Sequence, residues 1–238
     1  MKNWLLSPPS VDDLIRLLRA WRFWLIGAIV GGLLGTLTYV LVPPPYRARA
    51  TVVVDFNLEK AWPDNPDREV FYYLEREARK LEEVAWSDAT LQQVVDRVGG
   101  MTVDQLRSSV LELSEPHDGA WHFYATERSP QQAEQLASAW AQAFYQQTLV
   151  GVDNAVALDA ARKALEANPT DPALIARVND LEAGSLGITP ELQISLAQSK
   201  YLPAERKVGL GNYVLVGAVL FLVIGALFVL FFGKQQGA

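Results

Sequence analysis

Two stretches of the chain break with the mixed patterning of the rest. Trp24 to Val42 gives 19 residues without a charge, and Tyr213 to Phe232 gives 20. About 20 apolar residues at a 1.5 Å rise cross a hydrocarbon layer of about 30 Å. Each is therefore read as a transmembrane helix, 24–42 and 213–232, with 43–212 between them as a separate body. Ahead of the first span, Ser10 is placed to cap a helix with Asp13 at the capping-box position. Val11, Leu14, Leu18 and Trp21 follow at helical spacing, with Arg16 and Arg19 opposite. Residues 1–23 thus read as an amphipathic flank at the headgroup boundary, or more simply as a positively charged stop-transfer flank.

The central body alternates between the periods of strand and helix. Val52, Val54 and Phe56 alternate with Thr51, Val53 and Asp55, a strand directly after Pro43-Pro44-Pro45. Trp62 to Asp67, with Pro63 and Pro66, reads as a loop. Glu69 to Val84 predicts a helix with Phe71, Leu74, Ala78 and Leu81 on its apolar face. Ser87 caps a second, Ala89 to Val98, which Gly99-Gly100 ends. A short helical turn follows from Thr102 to Leu106. Strands Val110 to Ser114 and Trp121 to Thr126 then flank the hairpin signal Asp118-Gly119. Ser129 before Pro130 starts a helix striped by Ala133, Leu136, Ala137, Trp140 and Phe144, continuing past Gly151 to Ala167. Asn168-Pro169 breaks it, Thr170 to Ala183 forms a second arm, and Leu192, Ile194 and Leu196 alternate as a last strand. Strand, helices, strand, strand, helices, strand is the split βαβ order of ferredoxin-like sheets. The fold class expected is an α+β membrane protein: two terminal transmembrane helices around a ferredoxin-like extracytoplasmic domain with a short helical hairpin.

Charge adds the orientation. Arg16, Arg19 and Arg22 flank the first span on its amino side and Lys234 follows the second, against Arg47, Arg49, Arg206 and Lys207 on the central side. That asymmetry is weak. The central segment holds 25 acidic and 16 basic residues, 16 − 25 = −9, and segments of more than about 60 residues translocate largely regardless of charge. The reading is both termini cytoplasmic, including the tail 233–238, and the central domain outside. Ala48-Arg49-Ala50 resembles a signal cleavage site, but the apolar run exceeds the roughly 7–15 residues of a signal core, which favours an uncleaved anchor.

Candidate chemistry is sparse. The chain has no cysteine, which excludes a disulfide scaffold, thiolate metal sites and cysteine nucleophiles. Neither span carries an ionisable residue, which argues against a proton or ion pathway. His117 and His122, the only histidines, lie near Glu115 and Asp118 at one hairpin, where solvated turn residues are the preferred reading over a metal. Asp64, Asn65 and Asp67 lack calcium-loop spacing. No carboxylate pair is singled out for glycoside cleavage, and no G-x-S-x-G nucleophile context or Walker phosphate loop occurs. No catalytic, cofactor or metal residue is assigned, and a net acidic domain argues against nucleic acid. Gly27, Gly31 and Gly35 recur every four residues and form a helix-packing stripe, with Gly217, Ala218 and Gly225 a weaker counterpart. Arg47, Arg49, Arg206 and Lys207 stand where the chain leaves the bilayer, as contacts for lipid headgroups or for an acidic glycan. Trp62, in the proline loop, is the exposed aromatic for sugar stacking, whereas Trp140 belongs to a core stripe.

Together these segments resemble the chain-length determinant family, the Wzz-type polysaccharide co-polymerases, in a short form without a kinase domain. The matching features begin with Asp12-Asp13-Leu14-Ile15 and a first span leading into Pro45-Tyr46-Arg47-Ala48 before a Val-rich strand. Next come Ser87…Leu91…Val94-Val95…Val98-Gly99-Gly100 and Thr102 to Leu106. The strand Trp121 to Thr126 then leads to Ser129-Pro130-Gln131-Gln132-Ala133, and Pro203 precedes the second span. The resemblance implies a ring-like homo-oligomer in the inner or plasma membrane. Such a ring sets the length or export of a surface polysaccharide of O-antigen, capsule or exopolysaccharide type. Its expected partners are copies of itself, membrane lipid, a lipid-linked polysaccharide and that polymer's polymerase or export machinery; it is not itself an enzyme. The helical insertion from about Val152 to Ala183 is short for the family, and its proline-rich signature is reduced to Pro203. The rival reading is a membrane-anchored sensory or scaffold ectodomain working with a partner subunit.

Overall fold

A computed structural model of the chain describes residues 15, 19, 21–61, 67–114, 116, 119–197 and 203–232. It is a mixed helix and sheet protein with a long apolar helix toward each end, and it divides into two compact units. The first comprises Met1–Pro45 with Arg206–Ala238, the second Tyr46–Glu205.

The first unit is a pair of helices, α1 (Trp21–Leu41) and, at the other end of the chain, the helix Leu210–Phe232. Both are long and apolar enough to cross a membrane, and most of their large side chains point away from the pair. The second begins three residues before the uncharged run that announced it, through Leu210, Gly211 and Asn212, and in the first the helical backbone already includes Trp21, Arg22 and Phe23 ahead of the run.

The second unit opens with β1 (Tyr46–Asp55), a four-residue helix α2 (Leu58–Ala61) that the patterning did not announce, α3 (Asp67–Trp86) and α4 (Asp88–Val98). Ser87 caps α4, its hydroxyl accepting from the Thr90 N–H, and Gly99 ends it at a positive φ of 71°. Thr102 and Gln105 close a capping box on α5 (Val103–Gln105). A π-turn over Leu106–Val110 follows and delays β2 to Leu111–Leu113, one residue later than the hydrophobic run suggests. β3 (Ala120–Glu127), α6 (Pro130–Ala167), α7 (Pro172–Gly184) and β4 (Gln193–Leu196) complete the unit. α7 begins at Pro172, two residues later than expected, with Asp171 as its cap, the carboxylate accepting the Ala173 N–H.

Four of the sheet's five strands run in the order β2-β3-β1-β4 with each of these neighbouring pairs antiparallel, and the short fifth, Glu205–Arg206, pairs with β1 off this path. β1 and β4 are thus adjacent, with Val52 opposite Leu196, and β3 lies between β1 and β2, with Val52 opposite Trp121. One face is covered by helices. Ala48, Val52, Val54, Trp121, Phe123 and Ala125 point into a core shared with α4 and α6. Phe123 meets Trp140 edge-on at 4.9 Å and Phe144 at 5.0 Å, and Trp86 lies 4.7 Å from Trp140. The buried indole of Trp140 donates to the Ala85 carbonyl at 2.9 Å, so the one polar atom of this side chain is satisfied.

Beyond Thr148 the 38-residue α6 leaves the sheet and pairs with α7, where Leu158, Ala161 and Val178 form a second small cluster. At Gly151 an added Cβ would lie 2.6 Å from Ile188 Cδ1 and 3.2 Å from the Ser185 carbonyl oxygen, so the end of the Ile188 side chain would have to shift. The α3 stripe differs from the sequence reading. Tyr73, Glu77, Leu81, Val84 and Ala85 are the buried positions, while Phe71 is 69% exposed. Glu77 conceals the true stripe because it is only 3% exposed yet charged, held by Lys80 at 2.7 Å and Arg76 at 3.4 Å. Of the expected face, Leu81 lies in the core and Ala78 packs against it, while Phe71 and Leu74, with Ala78, line an open groove of about 680 Å³ against Phe56 and Trp121.

Candidate functional site

The helix pair crosses on glycine. A Cβ on Gly31 would lie 2.8 Å from the Gly217 carbonyl carbon and 2.9 Å from Phe221 Cβ. One on Gly35 would lie 2.8 Å from the Tyr213 carbonyl carbon, and one on Gly217 would lie 3.1 Å from the carbonyl carbon of Gly31. Backbone therefore touches backbone at these three positions, the geometry that small residues permit between helices. Gly27 is different, since its Cβ would stand at an ordinary 4.0 Å from the Phe221 carbonyl oxygen. At the polar end of the pair, Tyr39 and Tyr213 meet edge-on at 5.4 Å and Arg206 lies over the Tyr39 ring at 5.1 Å. Arg206 also reaches the Pro44 carbonyl at 3.5 Å, and the Lys207 N–H donates to the Pro45 carbonyl at 2.9 Å. A cation anchored over an aromatic ring suits a boundary between apolar and polar surroundings.

Arg47 and Arg49 belong to the second unit. Strand alternation sends them to the face opposite the core, and the antiparallel register sets Arg49 opposite Tyr124 and Thr51 opposite His122. Glu112, from β2, is paired with Tyr124 on the same face. Arg47 Cζ lies over the Tyr124 ring at 3.8 Å from its centroid, and the guanidinium pairs with Glu112 at 2.8 Å. Arg49 is exposed, and its side chain makes no ion pair or hydrogen bond among the described residues. His122 shares a hydrogen bond between Nδ1 and Thr51 Oγ1 at 2.9 Å. Its pKa is lowered from 6.5, first by burial and then by the nearby Arg49 charge, so the neutral imidazole is favoured.

Sequence reasoning singled out Arg47 and Arg49 for their position beside the span, and the sheet brings to them Glu112, His122 and Tyr124. Alternation along Trp121 to Thr126 was the available signal for His122 and Tyr124, but only the register tells which arginine each one meets. Trp62, Glu115, His117 and Asp118 lie outside the described residues, as does the flank before Ile15. Among the described residues, no three His, Asp or Glu side chains gather in a metal-binding arrangement.

No family model matches the chain, and no curated protein matches it. Among solved structures, a full-length bacterial polysaccharide co-polymerase is similar at 12% identity and a TM-score of 0.42, over 96% of this chain and 98% of that one.

Proposed function

We propose that the chain is a two-span membrane protein that assembles into a ring and regulates the length or export of a surface polysaccharide without catalysing its synthesis. The observation that carries this reading is the combination of one mixed domain between two apolar helices with the family-like order of motifs along it. The sheet order β2-β3-β1-β4, with helical crossovers between β1 and β2 and between β3 and β4, supports a ferredoxin-like assignment for the domain. In this reading 24–42 and 213–232 span the inner or plasma membrane, both termini are cytoplasmic and 43–212 is outside. The spans hold copies side by side, lateral domain contacts repeat around a closed ring, and closure reinforces each weak contact. The ring restrains the growing lipid-linked glycan or its polymerase by geometry and charge. Arg206 and Lys207 anchor at the headgroups, and Trp62 serves as a sugar platform.

Deleting the gene and sizing the surface polysaccharide on a gel tests the reading. The expected result is a broadened or shifted length distribution, or loss of the surface polymer, restored by the intact gene; an unchanged pattern refutes it. Native mass spectrometry in detergent tests the ring, which a strictly monomeric protein would rule out.

A further inference from the structure

We propose that the helix-free face of the sheet binds a carboxylated sugar residue of an acidic glycan, with Arg49 taking the carboxylate; the proposal rests on the polysaccharide reading above. All six groups concerned project from neighbouring strands on the face turned away from the core: Arg47, Arg49 and Thr51 on β1, His122 and Tyr124 on β3, Glu112 on β2. Their charges are not equivalent. Glu112 neutralises Arg47 and fixes it on Tyr124. Arg49, one pleat further along the same face, keeps its fork of donors unspent among the described residues.

Around Arg49 the neighbours are neutral hydrogen-bonding groups. Tyr124 is its cross-strand partner, and the next pair along the face is Thr51 with His122. The His122 ring uses Nδ1 toward Thr51, which leaves Nε2 without a protein partner among the described residues. Burial and Arg49 both hold that ring neutral, so it offers one hydrogen-bond position rather than a second charge. A lipid surface is recognised by clusters of several Lys and Arg. One unspent guanidinium in a field of hydroxyl, phenol and imidazole instead matches one carboxylate surrounded by hydroxyls, which is the chemistry of a uronic acid. A guanidinium binds a carboxylate through two parallel hydrogen bonds, which also fixes the orientation of the sugar. The surrounding domain is net acidic, so an acidic polymer is repelled elsewhere on it and its contact is focused here.

The test uses the full-length protein in zwitterionic-lipid nanodiscs, with tetragalacturonate as probe, maltotetraose as neutral control and glycerophosphoglycerol as soluble headgroup. Tetragalacturonate is expected to bind at low salt and maltotetraose at least about tenfold more weakly, since a charge-assisted hydrogen bond is lost. Arg49→Gln is expected to weaken tetragalacturonate binding by about tenfold or more at unchanged melting temperature, and His122→Gln by a smaller factor. Three results overturn the proposal: equal binding by Arg49→Gln, preference for glycerophosphoglycerol, or a change in oligomer mass in Arg49→Gln with affinity unaltered, which would assign the face to a second copy. If tetragalacturonate fails to bind while gene deletion alters polymer length, this inference falls and the proposed function stands. If it binds through Arg49 while deletion leaves length unchanged, the binding face stands and the proposed function falls.

Discussion

The two units close their interiors by opposite means. In the domain, four large aromatic side chains, Trp121, Phe123, Trp140 and Phe144, fill the space between sheet and helices, all at most 2% exposed. In the helix pair the space itself is removed: Gly31, Gly35 and Gly217 bring backbone onto backbone, and the large side chains turn outward. In the proposed two-span reading, the difference follows from the surroundings of each unit. In water, transfer of apolar area out of solvent stabilises the core by about 25 cal/mol per Å², so bulk is an advantage. Between helices surrounded by lipid tails that term vanishes, and close van der Waals packing is what remains.

Trp140→Ala is the strongest way to break this comparison. It removes contacts to Phe123 and Trp86 and strands the Ala85 carbonyl, so the domain should lose about 3–5 kcal/mol, read by denaturant unfolding of the full chain in detergent. A loss below about 1 kcal/mol would mean that the aromatic filling is not what holds the core. Gly35→Leu tests the other unit, where overpacking against the Tyr213 backbone should cost about 1–3 kcal/mol. Because the chain has no native cysteine, Leu41→Cys and Leu210→Cys provide unique spin-label sites. The label distance should widen in the leucine variant, and an unchanged distance would refute close glycine packing.

The smallest effect concerns pH. His122 is neutral in folded and unfolded chains above 6.5, its ordinary value, and there contributes nothing to pH dependence. As pH falls below 6.5 the unfolded chain takes up the proton more readily than the folded one, whose pKa is lowered by burial and by Arg49. Stability therefore drops through this window until the folded ring is protonated as well. His122→Gln should flatten the drop in melting temperature between about pH 5 and 7 relative to the parent chain, and parallel curves would count against it.

Much of this architecture was readable beforehand, and where it was not the cause is specific. Ser87, Gly99, Pro130 and the stripe through Trp140 declare their helices because caps and 3.6-residue spacing act locally. The α3 face was placed correctly at Leu81 but not at Phe71, since a carboxylate, Glu77, occupies a buried position that hydrophobic spacing treats as surface. The π-turn before β2 shifts the chain by a residue in a way no residue type announces. For the candidate site, the arginines could be picked out by charge, but their sorting into one bound to Glu112 and one left open depends on cross-strand register, a non-local property.

The length of α6 has a mechanical consequence. At about 1.5 Å per residue its 38 residues form a rod of about 57 Å without a break, rooted beside the sheet and carrying α7 at its far end. With no hinge along it, a sideways push on the outer arm acts as a torque at the seat of Trp140. A neighbour leaning on that arm would thus load the centre of the domain through a single lever.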